Sequence, residues 1–379
     1  MRTLTVLVAI ALGACGGSAE DSEPLVETEG CDSTTLYARS EVPEARGPWP
    51  VGVRTVELGR LDVEVLYPAV VGSEEGLDPM QVDIRYAIPE QEQSKVTDEK
   101  RPHQSCDCYT GLPVDEAHGP YPLVLFVHGT AGWRNQSLSL MEHWASRGFV
   151  VASADHPGLW LSDLLGSICG IPASGSQDLQ GDLETVLNSF RDDAEVLGFL
   201  SDRVDLNRVA VIGHSAGGSA ATGSAELPGV EVVISLAGSG STAVSSLSSA
   251  LFVGGIVDTV MPFSRTQSAF ENSSVPRRLV GIADAGHLVF SDICELTNDD
   301  GQDLVEIATE AGVCGTQFAS FLFDCEATSI PAENSSALLK AATTWELERH
   351  LHCEEALEEF ELLGGQSSWA EVLESSDLE

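Results

Sequence analysis

Short, continuously apolar runs alternate with longer amphipathic stretches from Val51 onward. The runs at 123–127 and 209–212 are apolar at every position, as expected for strands that helices cover on both faces. The pattern therefore predicts an α/β fold with a mostly parallel central sheet of about eight strands and helices on both faces. We expect strands at residues 52–58, 63–67, 123–127, 149–154, 208–212, 230–236, 250–256 and 278–282.

The amphipathic stretch 179–200 carries apolar residues at the spacing of one helical face, so we expect a helix there. Two long segments interrupt the alternation: an insertion at 89–119 and an extension that begins at residue 293. Segments of this kind, at the carboxyl edge of a parallel sheet, often form lids and substrate walls. We expect a lid-like extension over 293–363 that ends in an acidic helix at 344–363, followed by a polar tail at 364–379.

The chain is long enough for a large core, with 379 residues of which 43% are hydrophobic. Asp and Glu number 59 against 19 Lys and Arg, so the formal net charge is −40. A surface this negative repels phosphate backbones and anionic lipid headgroups. The charge therefore argues against nucleic acid as a partner and favours solubility. The length allows one large domain or two ordinary ones, and we expect one domain over residues 48–363.

The first fifteen residues have the layout of a short secretory signal. Its apolar run from Leu4 to Leu12 is too short to span a bilayer. The run continues into Gly13-Ala14-Cys15, which resembles a bacterial lipobox, so we expect Cys15 to carry the lipid that anchors an exported protein to a membrane. The alternative is an ordinary cleaved signal and a secreted protein. Residues 16–47 are predicted to form an acidic flexible tether.

Eight cysteines remain after Cys15, and an even number behind a secretory signal favours disulfides. Four of them lie beyond residue 290, which predicts local bridges within the extension; they are Cys294, Cys314, Cys325 and Cys353. The alternative is a metal site at His103, Cys106 and Cys108, but this C-x-C lacks the second matching pair of a typical zinc site. We expect no metal, and no motif in the sequence indicates a cofactor.

The motif Gly213-His214-Ser215-Ala216-Gly217 has the pattern G-x-S-x-G. It follows the predicted strand 208–212 directly and precedes small residues suited to begin a helix. A strand, a sharp turn and a helix are the context in which this motif exposes a nucleophilic serine. We therefore expect Ser215 to be a nucleophile; the alternative is a Gly/Ser-rich connecting loop.

A nucleophilic serine requires a histidine base. Three histidines follow Ser215 in the chain. His350 and His352 fall in a Glu-rich stretch, where we expect them at the surface. His287 follows the last predicted strand, in a loop that can bring it over the serine, so we expect His287 to be the base.

A carboxylate must orient that base. Asp258 follows an apolar strand directly, and the order Ser215, Asp258, His287 is one of the known triad orders. Asp284 is the main alternative, although it would have to share one tight loop with His287, and Asp292 is a weaker one.

The oxyanion formed by serine attack needs backbone N–H donors. We expect these from Ala216, which follows the nucleophile, and from Thr130, in the Gly-rich stretch after strand 123–127. Nearby His128 and His156 are expected to be structural.

These motifs, together with Gly47–Val53, Val63–Pro68 and Arg147–Val151, resemble the bacterial α/β-hydrolases grouped with platelet-activating-factor acetylhydrolases, predicted dienelactone hydrolases and cutinase-like polyester hydrolases. The resemblance covers scattered blocks from about residue 48 to 294. It implies an α/β-hydrolase fold and a calcium-independent carboxylic ester hydrolase. Ser215 departs from the cysteine of true dienelactone hydrolases, so their substrate is not implied.

The sequence thus favours a serine esterase or lipase that hydrolyses small-molecule or lipid esters through an acyl-enzyme. An amide or peptide hydrolase is an alternative, because the same triad serves both reactions. A non-catalytic surface binding module on the same fold is a second alternative. The sequence predicts neither the acyl preference nor the oligomeric state.

Overall fold

The computed structural model describes residues 25–192, 195–318, 323, 325, 328–354 and 368–376. The predicted signal segment, with Cys15, lies outside the described residues, as does part of the predicted helix 344–363. Within the described ranges, no helix combines the length and apolarity that crossing a bilayer requires.

Ten strands form one large sheet, and four short strands form two separate pairs. The strands in chain order are β1 Glu27–Glu29, β2 Thr35–Tyr37, β3 Val51–Leu58, β4 Leu61–Pro68, β5 Gln81–Val82, β6 Gln104–Ser105, β7 Cys108–Thr110, β8 Tyr121–Val127, β9 Val150–Ala154, β10 Val204–His214, β11 Val230–Leu236, β12 Ser249–Gly255, β13 Arg277–Ile282 and β14 Ala370–Ser376.

The large sheet has the order β14-β13-β12-β11-β10-β8-β9-β4-β3-β7. Its centre, from β9 to β13, pairs in parallel throughout. β3 and β4 form an antiparallel hairpin that joins β9 in antiparallel pairing. All seven residues of β8 are buried, as expected where both faces are covered. The carboxyl ends of the parallel strands share one edge, where their loops converge.

Helices cover both faces of this sheet. They are α1 Glu90–Gln93, α2 Leu138–Ser146, α3 Leu161–Ile168, α4 Leu179–Asp192, α5 Ala216–Gly223, α6 Phe263–Asn272, α7 Leu304–Glu310 and α8 Ala332–Leu351. Apolar residues of α4, α5 and α6 belong to one core cluster with the sheet. Those of α2 and α8 belong to a second cluster on the other face. The predicted α/β layering is therefore confirmed.

All eight predicted strands are present, with ends that differ by a few residues. The sheet gains two edge strands that the sequence did not predict, β7 in the insertion and β14 in the predicted polar tail. An edge strand pairs through its main chain along one side only, so it needs no long apolar run. The predicted polar tail at 364–379 therefore contains a strand, β14, over Ala370–Ser376.

Two other predicted segments have different limits. The helix predicted at 179–200 ends as α4 at Asp192, and Leu200 reaches the same core from a short 3₁₀ turn. Residues 25–47 of the predicted tether are not a free linker: β1 pairs with β2, and Leu36 is only 1% exposed. Burial of Leu36 and Cys31 explains why this arm packs against the body.

Four disulfides occur among the described residues: Cys31–Cys353, Cys106–Cys108, Cys169–Cys314 and Cys294–Cys325. The expectation that the four C-terminal cysteines bridge one another holds only for Cys294–Cys325. The other two cysteines of that group bond to distant parts of the chain. Pairing of Cys106 with Cys108 leaves neither thiolate for the alternative metal site. Disulfides of this number are typical of exported proteins.

Candidate active site

Ser215 lies on a sharp turn between β10 and α5. Its backbone has φ 58° and ψ −114°, a conformation that side chains rarely adopt. The turn is packed so closely that a Cβ at Gly213 would lie 2.2 Å from the Gly217 carbonyl oxygen. A Cβ at Gly217 would lie 2.1 Å from the Val127 carbonyl oxygen. Both flanking glycines are therefore required to hold the serine in this strained position.

The structure brings Ser215, His287 and Asp258 into one hydrogen-bonded chain. The Ser215 hydroxyl donates to His287 Nε2 at 2.9 Å. His287 Nδ1–H donates to Asp258 Oδ2 at 2.8 Å, because a carboxylate only accepts. This arrangement leaves Nε2 unprotonated and able to take the serine proton.

The loops after β12 and β13 meet closely enough to form this chain of contacts. A Cβ at Gly255 would lie 2.2 Å from the Ala285 carbonyl oxygen, so glycine permits the approach. The Asp258 side chain is fully buried, and its Oδ1 accepts N–H bonds from Val260 and Met261, both at 2.8 Å. These bonds fix the carboxylate that faces His287.

The two alternative acids lie elsewhere. Asp284 is exposed, and its carbonyl oxygen accepts the N–H groups of Ser329 and Ile330. Asp292 accepts a hydrogen bond from the Ser139 N–H at 3.0 Å, and burial raises its pKa to about 6. Neither carboxylate lies in the hydrogen-bonded chain with His287.

The stretch 128–133, the candidate oxyanion loop, packs against Ser215. A Cβ at Gly129 would lie 3.3 Å from the Ser215 Cβ. Within the loop, Ala131 N–H donates to Leu159 at 3.0 Å and Gly132 N–H donates to Gly129 at 2.9 Å. The N–H of exposed Thr130 has no acceptor among the described residues. Ala216 begins α5, where the first N–H groups lack an acceptor within the helix.

His214 and Gln136 link the oxyanion loop to the histidine, a connection that sequence reasoning missed. Gly129 N–H donates to Gln136 Oε1 at 3.0 Å, and Gln136 Nε2–H donates to His214 Nδ1 at 3.2 Å. His214 Nε2–H in turn donates to the His287 carbonyl oxygen at 2.9 Å. Burial and the nearby His287 hold the pKa of His214 well below its usual value, so the ring is neutral. The sequence signal that could have revealed this connection was the residue at the first variable position of the G-x-S-x-G motif, His214.

His128 holds the backbone of the oxyanion loop in place. Its Nδ1–H donates to the Gly129 carbonyl at 2.8 Å, and its Nε2 accepts the His156 N–H at 3.1 Å. Burial, with His156 close by, lowers the pKa of His128 to about 3. His156 contacts Asp182 through Nδ1 at 3.1 Å. Both rings make packing and hydrogen-bond contacts of a structural kind.

The expected surface position of the last two histidines is wrong for His352. This ring is 2% exposed, stacks on Phe149 with centroids 4.2 Å apart, and donates from Nε2 to the Gly148 carbonyl at 3.1 Å. His350 is half-buried, 3.6 Å from the Glu346 carboxylate. The acids of this segment are typical of a surface helix, although α8 packs two of them, Glu346 and Glu348, inward as ion-pair partners.

An apolar cavity adjoins the oxyanion loop. It encloses about 720 Å³ including its open mouth, and Trp133 lines it on the side of the loop. The other walls come from segment 84–102, from α3 and from segment 304–323. The insertion and the extension therefore both contribute walls to this cavity.

Comparisons with known proteins agree with this architecture. The family model for the alpha/beta hydrolase fold matches residues 122–241, which include Thr130 and Ser215. A ferulic acid esterase from Streptomyces cinnamoneus has a similar structure, with a TM-score of 0.55 and 19% sequence identity. That match covers 82% of this chain and 92% of the esterase chain. No curated protein matches the sequence. From its sheet order, its layers and these matches, the chain has the α/β-hydrolase fold.

Proposed function

We propose that this protein is a serine esterase that hydrolyses carboxylic esters through an acyl-enzyme on Ser215. The observation that carries the proposal is the chain of hydrogen bonds from Ser215 Oγ through His287 to Asp258, at 2.9 and 2.8 Å. Similarity to a ferulic acid esterase supports ester hydrolysis over other reactions of this fold.

In the first half of the reaction, Ser215 Oγ attacks the ester carbonyl carbon while His287 Nε2 takes the serine proton. The carbonyl oxygen becomes an anion, and the N–H groups of Ala216 and Thr130 stabilise it. The C–O bond to the alcohol then breaks, and His287 donates its proton to the leaving oxygen. The acyl group remains bonded to Ser215.

In the second half, water attacks the acyl carbon and gives its proton to His287 Nε2. The tetrahedral anion again faces Ala216 and Thr130, and its collapse releases the carboxylic acid. Ser215 regains its proton from His287. Throughout, Asp258 stabilises the imidazolium form and keeps the ring oriented.

Export and anchoring form part of the proposal. The disulfides support an oxidising compartment, and Cys15 is the proposed site of lipid attachment. Among α/β-hydrolases, the motif blocks favour the group of platelet-activating-factor acetylhydrolases and cutinase-like hydrolases, whose substrates are esters.

A fluorophosphonate probe tests the nucleophile directly, because it bonds covalently to an activated serine. We expect labelling of the wild type and none of Ser215→Ala. Ser219→Ala, one turn along α5, is the matched control and should label normally. Turnover of a p-nitrophenyl ester should exceed that of the matching anilide. Labelling of Ser215→Ala, or faster anilide turnover, would contradict the proposal.

A further inference from the structure

The segment that carries His287 is held at both of its ends. His287 begins a short 3₁₀ turn, His287–Phe290. At the near end, His214 Nε2–H donates to the His287 carbonyl oxygen at 2.9 Å. At the far end, residues 290–292 bond to residues 136–139, which lead into the first turn of α2. The near contact fixes a single residue, so the orientation of the turn also depends on the far end.

Asp292 makes most of the contacts at the far end. Its backbone N–H donates to the Gln136 carbonyl oxygen at 2.8 Å. Its carboxylate accepts the Ser139 N–H at 3.0 Å and also accepts the Ser139 hydroxyl. Ser137 adds one bond, from its hydroxyl to the Phe290 carbonyl oxygen at 2.9 Å. Three of the four hydrogen bonds that join the two segments therefore involve Asp292.

The carboxylate of Asp292 caps α2 from outside the helix. The first N–H groups of a helix have no acceptor within it, and a side chain at the N-cap position often supplies one. Here the N-cap residue Ser137 makes no such bond, and its hydroxyl donates to Phe290 instead. Asp292 takes over this role at Ser139, the second residue of the helix. A negative charge is favourable at this end of a helix, so the contact stabilises both segments.

The two ends of the histidine segment meet at Gln136. The Gln136 side chain donates from Nε2 to His214 Nδ1 at 3.2 Å, and its carbonyl oxygen accepts the Asp292 N–H. The same side chain accepts the Gly129 N–H at 3.0 Å, in the candidate oxyanion loop. The hydrogen bonds therefore close a ring, and this ring sets the position of His287 relative to the loop.

Gln104 connects the insertion 89–119 to the same carboxylate. Gln104 is 3% exposed, and its Nε2 donates to the Asn135 carbonyl oxygen at 2.7 Å and to Asp292 Oδ2 at 3.4 Å. The carboxylate thus accepts hydrogen bonds from two segments besides its own. A side chain placed in this way serves as an acceptor that holds segments together.

We propose that Asp292 is a positioning residue for the reaction: by capping α2 it fixes the segment of His287 so that Nε2 faces Ser215. The role depends on the hydrogen bonds of the side chain and not on its charge. The inference rests on the proposed esterase function and adds to it a residue that acts through His287.

The first test compares two substitutions of Asp292 by steady-state kinetics on p-nitrophenyl acetate. Asp292→Ala should lower kcat and kcat/KM together, about tenfold, because a misplaced base slows proton transfer and leaves substrate binding intact. Asp292→Asn should recover most of this loss. Its amide oxygen can accept the Ser139 N–H while its amide N–H donates to the Ser139 hydroxyl.

Ser139→Ala tests the same contact with a smaller change to the fold. It removes the hydroxyl and keeps the backbone N–H, so kcat should fall only about threefold. The double variant with Asp292→Ala should be no slower than Asp292→Ala alone, because both substitutions remove the same hydrogen bond.

Asp115→Ala is the matched control for the loss of a buried carboxylate. Asp115 is 5% exposed and accepts the Trp49 and Tyr121 side chains at 2.7 and 3.0 Å. Tyr121 begins β8, at the edge of the sheet opposite Ser215. This substitution should lower Tm and leave kcat per folded molecule unchanged.

Hydrogen–deuterium exchange gives a readout that does not depend on activity. In Asp292→Ala the amides of residues 287–292 should exchange about tenfold faster than in the wild type, and in Asp292→Asn at nearly the wild-type rate. Unchanged kcat in Asp292→Ala, a loss that asparagine does not recover, or additive losses in the double variant would overturn the inference while Ser215-dependent hydrolysis stands.

If the wild type hydrolyses no ester, the proposed function fails, and exchange alone decides the inference. Faster exchange in Asp292→Ala that Asp292→Asn reverses supports the positioning of the segment by Asp292. Exchange that is unchanged in Asp292→Ala overturns it.

Discussion

The His214 ring lies 4.8 Å from the His287 ring, and its Nε2–H bonds to the His287 carbonyl oxygen. His214 thus fixes the backbone of the proposed base, while Asp258 fixes the ring. Through Gln136, the same contacts reach Gly129 in the oxyanion loop. The proposed base and the candidate oxyanion loop are therefore joined by one buried set of hydrogen bonds.

His214→Phe should lower kcat about tenfold and leave KM unchanged. Phenylalanine keeps a ring of similar size but removes the N–H that holds the His287 backbone, and a small misplacement of the base slows proton transfer. Steady-state kinetics on a soluble ester measures kcat and KM separately. A rise in KM with kcat intact would instead indicate a role in substrate binding.

Asp258→Asn should lower kcat by three to four orders of magnitude, about 10³–10⁴-fold, because the amide stabilises the wrong histidine tautomer. Asp284→Asn is the matched control and should retain nearly full activity, since Asp284 is exposed. Activities are compared at equal folded fraction, checked by circular dichroism. A greater loss in Asp284→Asn would make Asp284 the acid.

Acidification should destabilise the fold through His128. Its pKa is about 3 in the folded state, against 6.5 for an unperturbed histidine, so the unfolded chain binds the proton first. The stabilising contribution is present above pH 6.5 and is lost as pH falls toward 3. Between about pH 7.5 and pH 5, it decreases by about 2 kcal/mol.

Urea unfolding at both pH values, with wild type and His128→Asn, measures this contribution. Asparagine can still donate to the Gly129 carbonyl but does not titrate in this range. The variant should therefore lose about 2 kcal/mol less on acidification than the wild type. Equal losses would show that His128 does not carry the effect.

Removal of the Cys169–Cys314 bridge by a double alanine variant should destabilise the protein by about 2–4 kcal/mol. It should also weaken discrimination between large and small acyl groups, because the bridge holds two walls of the cavity. The double variant at Cys31 and Cys353 is the control: it should lower Tm but keep the acyl preference. If the acyl preference is unchanged in both double variants, the Cys169–Cys314 bridge does not control specificity.

Cys15→Ser should move the protein from the membrane fraction to the soluble fraction in a bacterial host. More than one acyl chain is needed for stable anchoring, and a triacylated cysteine supplies them. Mass spectrometry of the mature amino terminus provides an independent measurement. A soluble wild type that begins at another residue would contradict the anchor.

The central strands and the order of the candidate triad could be predicted because their signals are local. Each parallel strand is a continuous apolar run, and Asp258 and His287 follow adjacent strands, β12 and β13, whose carboxyl ends share one edge. Position at a strand end was enough to bring those residues together.

Other features depend on partners that are far apart in the chain and leave no local pattern. Cys31 and Cys353 are separated by 322 residues. The bond from His214 to His287 spans 73 residues and joins a side chain to a backbone carbonyl, which any residue could supply. β7 and β14 are edge strands that pair through their main chains, and neither has a long apolar run to reveal it.

The Cys31–Cys353 bond determines how the molecule carries mechanical load. A pull on the amino terminus reaches Cys31 before any strand of the large sheet, and the bond passes the force directly to the end of α8. The force therefore bypasses the hairpin of β3 and β4 and does not pull it from β9. A protease that cuts in the partly exposed stretch between β2 and β3 leaves the amino-terminal piece covalently attached to the body.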